Sequence, residues 1–162
     1  MGLVDNGTNT KFYIPCSYCF YDLFFESTGI TSISKNFLPA TNLTSYCYGQ
    51  MFYGCSSLTT APELSATTLA NNCYECMFQN CSSLATAPEL PATDLTNWCY
   101  AGMFNGCSSL TTAPTELPAT TLADGCYAFM FSNCTSLIVA PDLISKNLAN
   151  ECYIYIFFIV LH

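Results

Sequence analysis

Cysteine is the residue best placed to do chemistry in this chain of 162 residues, which holds twelve of them and one histidine, the terminal His162. Cysteine serves as disulfide partner, metal ligand or nucleophile, and spacing separates these uses. Cys16–Cys19 and Cys73–Cys76 are C-x-x-C pairs, the spacing that opens a zinc site or a redox motif. The two pairs lie 54 residues apart, about two coils, and no other histidine or cysteine pair completes a site with either, so no metal is expected. Ten cysteines fall into two columns instead: Cys19, Cys47, Cys73, Cys99, Cys126 and Cys152, then Cys55, Cys81, Cys107 and Cys134. Stacked one above another at a strand spacing of about 4.8 Å, such thiols point the same way. Reduced packing ladders are therefore expected, with some disulfides as the lesser alternative. Cys76 stands off both columns and is expected to be exposed and the most reactive thiol.

The oxygens form columns too. Glu63, Glu89, Glu116 and Asp142 each follow an Ala-Pro dipeptide, with Thr115 inserted before Glu116. Carboxylates in a row attract Ca²⁺, which takes several oxygen ligands. No Gly/Asp-rich calcium loop accompanies them, so a solvated, screened row is expected. Thr59, Thr60, Thr86, Thr111 and Thr112 fall on a presumed strand face. Flat threonine arrays bind ice, but Ala85, Ile138 and Val139 interrupt this one, and β-propensity accounts for it. The N-x-Ser/Thr triplets at Asn6, Asn42, Asn80 and Asn133 read as by-products of a repeat.

Composition removes whole classes of function. The chain is 51% hydrophobic and 9% charged, too apolar for a disordered tail. Three cations against eleven acids leave a net charge of −8, so a row of phosphates cannot be neutralised and no nucleic-acid partner is expected. Histidine-based acid–base or triad chemistry has no material, and no enzyme and no cofactor are expected. Met1–Lys11 is too polar for a signal peptide, and the apolar run Tyr153–Leu161 is less than half of a membrane span. No signal peptide is visible in the chain, and no membrane insertion is expected.

The elements that must position these residues follow from self-comparison. The chain reads CYGQMFYGCSSLTTAPELSATTLANN from Cys47 and CYECMFQNCSSLATAPELPATDLTNW from Cys73. It reads CYAGMFNGCSSLTTAPTELPATTLADG from Cys99, and copies restart at Cys126 and Cys152. The steps are 26, 26, 27 and 26 residues, and a degenerate copy begins at Cys19. The organisation is thus an N-terminal cap over 1–18, repeats over 19–151 starting at 19, 47, 73, 99 and 126, and a truncated copy over 152–162. In CYxxMFxxC the first Cys, the Met and the second Cys stand at i, i+4 and i+8, one apolar face of a short helix. Gly54, Asn80, Gly106 and Asn133 then end that helix in a left-handed turn. SLTTAP and PATTL suit brief strands. A unit this small cannot bury its own face, so the copies must stack. The expected fold is an α/β solenoid, a right-handed coil with short helices on one side and short parallel strands on the other.

MFxGCSSLTTAPELPATTL resembles the BspA-type leucine-rich repeat of bacterial surface proteins, over about nine-tenths of the chain. The resemblance implies a leucine-rich-repeat-like solenoid, a cell-surface or secreted setting, and adhesion without catalysis. It also implies a protein or glycan partner, host extracellular matrix among the candidates. Thr59, Thr60, Glu63, Thr86, Glu89, Thr111, Thr112, Glu116 and Asp142 are the candidate partner-binding face. A structural spacer or self-assembly module without a ligand is the alternative. Tyr153, Ile154, Ile156, Phe157 and Phe158 leave an uncharged, β-prone edge, so a tail-to-tail homodimer is expected there.

Overall fold

The computed structural model describes Val4–Asp5 and residues 12–159, with side chains from Ile14 onward. The expectations that rest on residues 6–11 and 160–162, His162 and Asn6 among them, lie outside the described residues. Among these residues there is no helix, and five strands of two or three residues form. The expected α/β solenoid with helices along one side is therefore overturned.

A row of tight turns stands where helices were expected. Left-handed backbone recurs every fourth residue: Tyr46, Gln50 and Gly54 in one copy, Asn72, Cys76 and Asn80 in the next, then Trp98, Gly102 and Gly106. No α-helix accommodates such a residue in each turn. The amides alternate in destination. Gly49, Met51, Tyr53 and Cys55 donate to carbonyls three residues back, closing turns within the copy. Tyr48, Gln50, Phe52 and Gly54 donate across to the carbonyls of Cys73, Glu75, Met77 and Gln79 at 2.8–3.0 Å. The same alternation runs through the copies from Cys73, Cys99 and Cys126. Each copy thereby satisfies half of its turn amides on the next one, which is how the repeats are joined.

The apolar residues follow the same four-residue period. The first Cys, Tyr, Met, Phe and second Cys of every interior copy are 0–3% exposed. One aromatic column runs Phe20, Tyr48, Tyr74, Tyr100, Tyr127, Tyr153, with ring centroids 5.6–5.8 Å apart. A second runs Phe24, Phe52, Phe78, Phe104, Phe131, Phe157 at 5.4–5.8 Å. Stacked pairs of this kind add about 0.5–1.5 kcal/mol each beyond area burial. Leu58, Leu84 and Leu110 are fully buried and close the core on the other side.

That other side holds little regular sheet. Phe12–Tyr13 (β2) pairs antiparallel with Val4–Asp5 (β1) and parallel with Ala40–Asn42 (β3). Glu116–Leu117 (β4) pairs parallel with Asp142–Leu143 (β5). Elsewhere the expected strands reduce to single bridges, Ser32 to Thr60, Asn42 to Thr68, Thr86 to Thr112 and Asp94 to Thr121. Proline in each SLTTAP segment removes a ladder donor, so pairing stops after one or two residues.

Candidate functional site

The Ala-Pro segments of successive copies frame an open groove of about 650 Å³. Thr59, Thr60, Glu63, Thr86 and Glu89 line it, five of the nine residues picked as a binding face. Their side chains are exposed, while the neighbouring Leu58, Pro62, Leu64 and Leu84 are buried. Ala61, Pro62, Ala87, Pro88 and Pro91 make the floor apolar. Thr111, Thr112, Glu116 and Asp142 are exposed too but lie outside this groove. The face is therefore divided, five residues lining this groove and four exposed outside it.

One lining residue was not anticipated. Lys35 occupies, in the degenerate first copy, the place Glu63 takes in the next, and its carbonyl accepts the Glu63 amide at 2.9 Å. Its Nζ stands 2.9 Å from a Glu63 carboxylate oxygen. Lys35 stands at the same distance from Cys19 as Glu63 does from Cys47, so alignment on the first cysteine alone places it at the head of the acidic column. Both side chains are well exposed, so the ion pair is worth 0–1 kcal/mol and serves to mark one cationic end of the groove. Glu116 and Asp142 meet as direct neighbours across β4 and β5. Among the described residues no three or more His, Cys, Asp or Glu side chains gather as a metal site.

The cysteines divide as two kinds. Cys16 and Cys19 form a disulfide, so the first-column position in the degenerate copy is oxidised. The other ten thiols are free, and nine of them are buried. Cys76, expected to be exposed, is half-buried, and its Sγ packs where a side chain on Gly102 would stand. Burial, with the Glu75 carboxylate adding to it, pushes this thiol up to about 12, the reverse of an activated nucleophile. The expected exposure of Cys76 is corrected to half-burial, although among the free thiols it alone is not fully buried.

The C-terminal residues split by face. Ile156 is buried, Tyr153 and Ile154 are half-buried, and Phe157 and Phe158 are exposed. Among the described residues no helix is long and apolar enough to cross a membrane. No protein-family model, curated protein or solved structure matches the chain.

Proposed function

We propose that the chain is a non-enzymatic binding module that receives an extended protein or glycan segment across the Thr/Glu groove. The observation that carries this reading is the groove itself, which gathers Thr59, Thr60, Glu63, Thr86 and Glu89 from neighbouring copies over an apolar floor. Hydroxyls and carboxylates at repeat spacing offer hydrogen bonds to a chain-like ligand, while alanine and proline give contact area without charge. Lys35 at one end lets an anionic group orient that ligand. The cell-surface setting and adhesive role implied by the resemblance to BspA-type repeats belong to the same proposal.

The test is a panel of extracellular-matrix proteins and mucin-type glycans, probed with the whole chain and with T60R/T86R. The expected result is a ligand captured by the unaltered chain and lost by the variant, whose arginines fill the groove. Equal capture by both, or no capture above a surface-scrambled control, would overturn the reading.

A further inference from the structure

Among the described residues, the two ends of the stack carry opposite and unspent halves of the hydrogen-bond pattern that joins the copies. In the interior, amides of one turn row meet carbonyls of the next, as Tyr127, Phe129 and Phe131 meet Cys152, Ile154 and Ile156 at 2.9–3.0 Å. At the last row the equivalent amides, Tyr153, Tyr155 and Phe157, have no acceptor among the described residues. At the first row the equivalent carbonyls, Cys19, Tyr21 and Leu23, have no donor among them. Side chains repeat the picture. Leu23 continues the column of Met51, Met77, Met103 and Met130, which are at most 1% exposed, yet it is 50% exposed itself. Phe157 continues the column of Phe104 and Phe131, likewise at most 1% exposed, and stands at 38%. Among the described residues, the Met and Phe columns thus end on exposed side chains at Leu23 and Phe157.

We propose that these ends bind each other, so that copies of this chain assemble head to tail through their turn rows. Tyr153, Tyr155 and Phe157 amides of one copy take the Cys19, Tyr21 and Leu23 carbonyls of the next, in the register already used between repeats. Phe157 then continues onto the Phe24 column of the neighbour and Tyr153 onto its Phe20 column. A second copy is the occupant because its opposite end presents carbonyls and aromatic columns at the spacing these donors and rings already use between repeats. A tail-to-tail dimer sets amide rows against amide rows and forms none of these bonds. The contact is heterologous, and repetition of it grows a filament rather than closing a pair. The net charge of −8 on each copy opposes assembly until salt screens it.

Sedimentation velocity at 0.5 M NaCl over a hundredfold concentration range reads the stoichiometry. L23K blocks the first row, Y155D blocks the last row, and both positions are about half exposed, so melting curves like that of the unaltered chain certify folding. The unaltered chain is expected to grow past dimer with concentration. Each variant alone is expected to stay monomeric, and an equal mixture to give a dimer, since each retains one intact end. An unaltered chain that stays monomeric, or folded L23K that dimerises alone, overturns the proposal, the latter by showing a tail-to-tail contact.

Discussion

The Sγ of Cys81 donates a hydrogen bond to the backbone carbonyl of Phe52 in the preceding copy, 3.1 Å away. Cys55 does the same to Phe24, Cys107 to Phe78 and Cys134 to Phe104, each at 3.1 Å. The second cysteine column is therefore a set of donors as well as small apolar side chains, and a disulfide would remove the hydrogen each one gives. C107A is expected to destabilise by roughly 1–3 kcal/mol in urea melts, from the lost thiol hydrogen bond and contacts, although the Phe78 carbonyl keeps the Cys81 amide as a donor. C76A, at a half-buried position without such a bond, is expected to stay within about 0.5 kcal/mol.

Alkylation in denaturant without reductant should modify ten cysteines and leave a single disulfide, Cys16–Cys19. Alkylation of the folded chain should be slow at all ten, because burial lowers the thiolate fraction and blocks access. Fast labelling of Cys47 or Cys126 in the folded state would show that the columns are open to water.

Stability should fall as the solution is made alkaline. Burial raises Cys47 and Cys126 to about 11, and Cys99 and Cys134 to about 12, from an ordinary value near 9. Between those values the unfolded chain has lost protons that the folded chain keeps, so stability drops with rising pH. Each such thiol contributes up to about 1.4 kcal/mol per pH unit. Buried Tyr74 and Tyr100 are raised too, by burial first, and add to the slope above pH 10. Melting temperature is expected to be flat below pH 8 and to collapse between pH 9 and 11. A flat profile to pH 11 would contradict the buried columns.

Gly125 and Gly29 should respond oppositely to alanine. Gly125 has φ +61°, and a Cβ there would come within 2.5–2.6 Å of the Trp98 ring. Gly29 has open space around its missing Cβ. G125A is expected to cost several kcal/mol through strain and the displaced indole. G29A should be neutral or stabilising by about 0.4–1 kcal/mol, since alanine restricts the unfolded chain. Thermal melts of the pair decide.

The hydroxyls of Tyr100 and Tyr127 are buried without a hydrogen-bond partner. Removing one relieves an unsatisfied group, so Y100F is expected to be neutral or slightly stabilising. L110A, which empties a fully buried site, should cost about 2–5 kcal/mol, whereas T111A on the exposed neighbour should stay within about 0.5 kcal/mol. Similar losses for L110A and T111A would reverse the inside and outside of the coil.

Repeat boundaries, the two cysteine columns, the inward Met, Phe and Leu and the left-handed backbone at Gly54, Asn80, Gly106 and Asn133 were all legible in the sequence, because each depends on residue type at a fixed spacing. The groove lining was legible in part, since Thr60 and Glu63 fall in recurring polar columns, while Lys35, at the same offset in the degenerate copy, breaks the acidic type of its column. The turn row was not legible. A four-residue turn period and a 3.6-residue helix both place i, i+4 and i+8 on one face, so Cys47, Met51 and Cys55 cannot tell them apart. What separates the two is the destination of the amides, and half of these lie one copy away, from Tyr48 to Cys73. Tyr46, Gln50, Trp98 and Phe129 adopt left-handed backbone that their own preferences oppose. Only a stacked neighbour supplying a carbonyl to each alternate amide offsets that cost, and a neighbour is a property of the tertiary structure.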